Sequence, residues 1–180
     1  MRAGWSGPRE TGNPPMRAAP GALPRQTYTL GQIVLHWAIA ALVVWQLVFG
    51  ESMEALEHPA RADAAELFLA NTHIWAGIAI LALVVLRIAL RLVHGAPPAD
   101  APNRLAALLA GAVHLAFYVL LVAMPVTGLM AYYGGLPTGD LHELGKPLFI
   151  VLIALHVGAT AWHQFVRRDG ILRRMVVPAR

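Results

Sequence analysis

The sequence contains no cysteine among its 180 residues. A disulfide framework, a thiolate metal site, an iron–sulfur cluster and a covalently attached c-type haem are therefore excluded. Charged residues are also scarce, at 13% of the chain, whereas a soluble domain carries roughly a quarter. Hydrophobic residues make up 57% and form long runs between the few charges. This pattern is typical of a polytopic membrane protein.

The formal net charge of +4 does not indicate nucleic-acid binding, because the arginines flank apolar segments and form no patch on a soluble domain. Residues 1–26 are rich in Pro, Gly and Arg and lack the apolar region of a signal peptide. They are predicted to form a disordered leader before a single membrane domain, residues 27–180. Met16 is an alternative start to Met1, and nothing downstream would change.

Four apolar segments are predicted to cross the membrane as helices, at about residues 31–49, 67–93, 105–132 and 142–166. Each offers about 19 or more residues, and a bilayer core needs about 20. Pro125 is expected to kink the third helix because it removes a backbone donor. The predicted fold is an all-α integral membrane four-helix bundle with up-down-up-down topology.

The arginines predict the orientation of the bundle. They are concentrated in the N-terminal tail, the second connection and the C-terminal tail, as Arg2, Arg9, Arg17, Arg25, Arg91, Arg104, Arg167, Arg168, Arg173, Arg174 and Arg180. The first connection has only Arg61 among several carboxylates, and the third has only Lys146. By the positive-inside rule, both termini are predicted to be cytoplasmic.

Four of the eight histidines lie at two matched depths in the predicted spans. His36 lies about one and a half turns into the first span, toward the cytoplasm, and His156 is at a similar depth in the fourth. His73 is near the outer end of the second span, and His142 is at the outer start of the fourth. Because 14 residues make nearly four helical turns, His142 and His156 face the same side, about 21 Å apart in depth.

An imidazole within a membrane helix is costly and by default indicates a functional site. Zinc would need three or four protein ligands, and each level offers only two nitrogens. A haem iron needs only two axial ligands, so the pairs His36/His156 and His73/His142 predict two b-type haems. The alternative is a haem-free transporter or scaffold, in which these histidines only bond neighbouring helices together.

Other polar residues lie near the predicted inner haem. Arg87 and Arg91, one turn apart, are candidate partners for its propionates, because guanidinium pairs well with carboxylate. Anchoring at the cytoplasmic interface is the alternative for both. His114 and His163 are candidates for contact with a propionate or a quinone head group, or else extend to the interface.

Four stretches of the sequence carry a family resemblance. They are "YTLGQIVLHWAIAAL", "THIWAGIAILALVVLRIALRL", "HLAFYVLLVAMPVTGLM" and "LHELGKPLFIVLIALHVGATAWHQFVRRDGILRRM". On these residues the chain resembles the bacterial cytochrome b561 family, four-helix di-haem membrane cytochromes that include superoxide oxidases. The resemblance covers about Tyr28 to Pro178. It implies the same axial ligand pairs, with the inner haem between the first and fourth helices.

The resemblance implies an oxidoreductase of the bacterial inner membrane. Its members carry single electrons, here from an outer-side donor, for which superoxide is a candidate, to ubiquinone in the membrane. No catalytic acid or base is assigned, although His114 or His163 would relay the protons that quinone reduction consumes. The rival within this class is a cytochrome subunit that anchors a dehydrogenase or hydrogenase and accepts electrons from that partner protein.

Overall fold

The computed structural model describes residues 28–97 and 101–178. In chain order the elements are α1 (Leu30–Phe49), a 3-10 turn (Gly50–Met53), α2 (Glu54–Glu57), α3 (Ala64–His94), α4 (Arg104–Gly134), α5 (Gly139–Trp162), a π-helical turn (His163–Arg167) and a second 3-10 turn (Leu172–Met175). These described residues include no strand, and the predicted all-α four-helix fold is confirmed. The predicted leader, residues 1–26, lies outside them.

Within the described residues, four helices are long and apolar enough to cross a membrane. Each begins one to three residues before the predicted span. In three of the four helices a polar residue before the first turn accepts a hydrogen bond from one of the first backbone N–H groups. Thr29, Asp63 and Asn103 cap α1, α3 and α4. Each side-chain oxygen accepts a hydrogen bond from the backbone N–H three residues later, at 3.3, 2.8 and 2.8 Å.

The long helices pack in chain order, α1 on α3, α3 on α4, and α4 on α5. Their shared core is a central apolar layer, Ile39, Val43, Ile80, Val84, Leu121 and Phe149. Most other large apolar side chains point outward, for example Leu92 (81% exposed) and Phe165 (74% exposed). Apolar surface on this scale requires a lipid environment, which agrees with the four spans.

Proline occurs inside two of the long helices. Pro125 lies about two-thirds of the way along α4 and is buried, and Pro147 lies in the third turn of α5. Both helices continue through these residues, although each proline removes one backbone donor. Beside Pro125, the hydroxyl of Thr127 donates to the carbonyl oxygen of Ala123 at 2.8 Å. Side-chain bonds of this kind compensate for disturbed backbone bonding in membrane helices.

Candidate functional site

The inner histidine pair joins the first and last long helices. His36 projects from α1 and His156 from α5, with ring centres 6.3 Å apart and planes inclined at 59°. Both side chains are half-buried. Helices α1 and α5 are not among the closely packed neighbours of the described bundle. The two imidazoles therefore face each other across the wider space between these helices.

The outer pair joins α3 and α5 in the same way. The ring centres of His73 and His142 are 6.1 Å apart, with planes inclined at 75°. Nδ1 of His142 lies 2.8 Å from the carbonyl oxygen of Met124. A backbone carbonyl accepts the Nδ1–H of many metal-binding histidines and fixes the ring orientation. With Nδ1 bonded in this way, the lone pair of His142 is on Nε2.

The spacing of both pairs fits two imidazoles on one metal. A bond from a metal to an imidazole nitrogen is about 2 Å long, so rings on opposite sides of one metal have centres about 6 Å apart. The observed distances are 6.3 and 6.1 Å. Among the described residues, no three His, Asp or Glu side chains converge as a metal site made by protein alone requires. The arrangement suits a group that brings its own remaining ligands, as haem does.

Hydrogen bonding at His73 differs from that of a histidine that only joins helices. The buried Nδ1 of His73 has no hydrogen-bond partner within the described residues. A buried polar atom left unpaired is unusual and calls for an explanation. Nδ1 of His73 therefore does not bond its helix to a neighbour, whereas Nδ1 of His142 does so through the Met124 carbonyl on α4.

Two glycines bring backbone close to the outer rings. A Cβ atom added to Gly128 would lie 2.8 Å from Cε1 and 2.9 Å from Nδ1 of His142. A Cβ atom added to Gly50 would lie 3.6 Å from Cε1 of His73. Gly128 therefore leaves the space in which the His142 ring lies, while Gly50 makes an ordinary van der Waals contact.

His114, predicted near the inner haem, lies against the inner pair. Its ring centre is 5.4 Å from that of His156, nearly perpendicular to it, and its Nδ1 is 2.7 Å from the carbonyl oxygen of Ala110 on its own helix. Phe117 packs on the same His156 ring at 5.5 Å and lies 6.4 Å from Phe149. The two phenylalanines thus connect the inner pair to the apolar layer.

The two arginines predicted as propionate partners occupy different positions. Nη1 of Arg87 donates to the carbonyl oxygen of Gln32 on α1 at 2.9 Å. The buried Gln32 side chain in turn donates to the carbonyl oxygen of Gly95 at 3.0 Å. The guanidinium of Arg91 lies 5.9 Å from the ring centre of Tyr118 on α4, a cation–π contact. Arg87 is thereby fixed at the cytoplasmic end of α1.

Sequence reasoning missed the way the C-terminal segment folds back onto the inner end. His163 Nδ1 is hydrogen-bonded to the carboxylate of Asp169. Farther along, the Trp37 indole N–H, next to His36, donates to the carbonyl oxygen of Met175 at 2.8 Å. An Asp-Gly dipeptide marks a turn, and this was the available signal at Asp169. Nothing in the sequence indicated the partner of Trp37.

Replacing Trp37 by Phe should release the C-terminal segment, because Phe keeps the aromatic packing and loses the indole N–H. We expect hydrogen exchange of residues 170–177 to become at least several-fold faster, consistent with the loss of one hydrogen bond of about 1 kcal/mol. Trp162→Phe is the matched control, since Trp162 is 59% exposed at the end of α5. Equal exchange rates in both variants would contradict this role of Trp37.

Over its described residues, the protein has four apolar helices, and its imidazoles are paired between α1 and α5 and between α3 and α5. This arrangement is typical of membrane proteins that hold haem between helices. The sequence model of the prokaryotic cytochrome b561 family matches residues 27–178. The chain belongs to this family. It is accordingly a multi-pass electron-transfer protein of the bacterial inner membrane, with haem b as its cofactor.

Three relatives align with most of this chain, over most of their own length. Cytochrome b562 of Cereibacter sphaeroides is 34% identical over 155 residues, covering 84% of this chain and 96% of the relative. Cytochrome b561 homolog 1 of Escherichia coli is 27% identical over 171 residues, covering 81% and 94%. The probable superoxide oxidase CybB of Yersinia pestis is 27% identical over 172 residues, covering 83% and 95%.

Proposed function

We propose that the protein holds two haem b groups, one at each histidine pair, and carries single electrons across the membrane from an outer donor to ubiquinone. One observation supports this above all. Two imidazole pairs lie at two depths of the same helix, with ring centres 6.3 and 6.1 Å apart. His36 and His156 would hold the inner haem, and His73 and His142 would hold the outer one.

Haem supplies the one-electron chemistry, and the protein sets its orientation and surroundings. Helix α5 contributes one ligand to each haem and so fixes the distance between them, because a helix is stiff along its axis. The central apolar layer keeps water out between the two levels. At the outer level, the Met124 carbonyl fixes the ring of His142.

Arg87 and Arg91 are proposed to neutralise the propionates of the inner haem. Arg87 is positioned by the carbonyl oxygen of Gln32, only four residues before His36. That bond uses one of the five guanidinium N–H donors and leaves others for a carboxylate. Arg91 is held over Tyr118, one turn nearer the cytoplasm.

The electron donor binds at the outer end of the bundle. The charged residues at this end influence which donors are attracted to it. The name of one relative, a probable superoxide oxidase, makes superoxide the first donor to test. Lys146 Nζ lies 2.7 Å from Glu51 Oε1, so this cation is paired. Arg61 is the other cation among the described residues of the outer connections. Long-range attraction of an anion is therefore weak at this surface.

The proposal is tested with the purified, oxidised protein. Its visible spectrum should contain the bands of low-spin haem with two imidazole ligands, and a haem assay should give two haems per chain. Stopped-flow mixing with superoxide should reduce the haem, and added ubiquinone should reoxidise it. Because carboxylates predominate outside, raising the salt concentration should not slow the superoxide step. A colourless preparation would contradict the proposal.

The partner-docked subunit gives a different result in the same experiment. Such a protein would contain both haems, would not react with small donors and would co-purify with a dehydrogenase or hydrogenase. Reduction of the isolated protein by superoxide, followed by oxidation by ubiquinone, separates the proposed function from this alternative.

A further inference from the structure

The hydrogen-bonded pair formed by His163 and Asp169 lies beyond the inner histidine pair. His163 is seven residues after His156, which places it on the same face of the helix and about 10 Å nearer the predicted cytoplasmic surface. Oδ2 of Asp169 bonds to Nδ1 of His163, and Oδ1 accepts the backbone N–H of Ile171 at 3.2 Å. The His163 and Asp169 side chains are only 21% and 18% exposed.

The backbone adopts an uncommon course to make this contact. Helix α5 ends in a π-helical turn, His163–Arg167, and Arg168 then takes a left-handed conformation with φ 54°. A left-handed residue other than glycine costs of order 1 kcal/mol and indicates that the surrounding structure imposes it. Gly170, with φ 73°, completes the reversal. These turns bring Asp169 back beneath His163.

The bond assigns distinct roles to the two ring nitrogens. A carboxylate on Nδ1 keeps the proton there, orients the ring and stabilises the doubly protonated imidazolium. The remaining nitrogen, Nε2, then carries the proton that can leave. The bond from His163 holds the pKa of the Asp169 carboxyl below its usual range, assisted by the Ile171 N–H and by Arg167. The carboxylate is therefore ionised at neutral pH.

Asp169 is a single negative charge among many cations. Within residues 28–97 and 101–178, it is the only carboxylate at the predicted cytoplasmic end. The cations and histidines at this end, from α1, α3, α4 and the C-terminal segment, are His36, Arg87, Arg91, His94, Arg104, His114, Arg167, Arg168, Arg173 and Arg174. Arg167 Nε lies 3.6 Å from Asp169 Oδ2. Among the described residues, removal of Asp169 would leave only cations and histidines at this end, which disfavours a further positive charge on His163.

We propose that Asp169 is a positioning residue that holds His163 as the proton donor to the quinone reduced at the inner end. This inference rests on the proposed transfer of electrons to ubiquinone. Quinone becomes quinol by gaining two electrons, which arrive one at a time by the haem path, and two protons. For each proton, the Nε2–H bond of His163 breaks and an O–H bond of the quinol forms. His163 regains each proton from cytoplasmic water.

The test compares Asp169→Asn with native holoprotein that has been reduced beforehand. Oxidation by a water-soluble ubiquinone analogue should be about tenfold slower at neutral pH, which is less than the roughly 10²–10⁴-fold contribution of a positioned acid, because His163 itself is retained. The midpoint of its pH profile should move to lower pH. Oxidation by ferricyanide, which takes an electron without a proton, should be unchanged. Asp140→Asn, an exposed carboxylate at the opposite end, is the matched control and should behave as the native protein.

A second readout does not depend on turnover. Histidine-selective nitrogen-15 NMR of the oxidised holoprotein should show the His163 ring with its Nδ1–H bonded to a carboxylate, with its signals identified by their absence in His163→Gln. In Asp169→Asn these signals should change to those of a ring whose Nδ1–H has lost that carboxylate partner. In the His163→Gln background, Asp169→Asn should not slow quinone reduction further.

The outcomes separate this inference from the proposed function. An unchanged quinone rate, pH profile and His163 NMR spectrum in Asp169→Asn would overturn the role of Asp169 and leave electron transfer to quinone intact. Equal slowing with quinone and ferricyanide would also overturn it, because the variant would then disturb the electron path. Failure of the native protein to reduce quinone at any pH would overturn both.

Discussion

Replacing His36 by Ala should remove the inner haem and leave the outer one. The haem-to-protein ratio is expected to fall from two to one, because a bis-imidazole site that loses one ligand binds its iron far less tightly. The protein should still fold, since the His36 ring makes no hydrogen bond to other described residues and the apolar layer is untouched. The measurement is a haem assay with redox titration, which should resolve a single remaining potential.

His114→Ala is the matched control, because the rings of both His36 and His114 lie near His156 and either could be its partner. The His114 ring is closer, at 5.4 Å against 6.3 Å for His36. It is bonded to its own helix through Nδ1, and its ring is too near His156 for a metal to lie between them, which needs about 6 Å. His114→Ala should therefore keep both haems. Loss of haem in His114→Ala with full retention in His36→Ala would show that the assignment is wrong.

Replacing Gly128 by Ala should remove the outer haem while the inner one remains. The added Cβ would lie 2.8 Å from the His142 ring, so either the imidazole turns or α4 and α5 separate. Either movement breaks the bond between His142 and the Met124 carbonyl. Overpacking of this kind costs about 1–3 kcal/mol, more than the gain of about 1 kcal/mol in helix propensity. The expected readouts are one haem per chain and a lower melting temperature.

Gly111→Ala controls for the helix propensity of alanine. It lies on the same helix, α4, and an added Cβ there meets no other atom within 4 Å. This variant should keep two haems and be as stable as the native protein or slightly more so. If Gly128→Ala also kept both haems with an unchanged spectrum, the close approach of α4 to His142 would have no part in holding the outer haem.

Much of the architecture could be predicted from the sequence, because hydropathy and the rise of a helix depend only on the order of residues along the chain. Four apolar stretches of sufficient length predicted four helices, and the described part of the structure contains four that are long enough to cross a membrane. Arginine counts predicted the orientation of the chain. A fixed rise per residue also set the depth of each histidine on its helix. The 14-residue interval from His142 to His156 was enough to predict two levels.

The sequence alone did not predict what depends on contacts across the bundle. The sequence predicted His36 as the partner of His156, but it did not predict that the His114 ring would lie even closer to His156. The distances from the His156 ring are 6.3 Å for His36 and 5.4 Å for His114. Gly128 looked like any small residue in a membrane helix until the His142 ring was placed against it. The sequence carried no signal for the bond between Trp37 and Met175.

The sequence by itself determined the number of spans and the level of each imidazole, and it predicted their direction and pairing, since these depend on residue order and on local helix geometry. Only the tertiary structure decided how closely the paired rings approach, which backbone atoms hold them and where Asp169 returns to meet His163. Those relations depend on how helices rotate about their axes and how far apart they pack. Such rotations and separations result from contacts among all the helices together, and no single segment contains them.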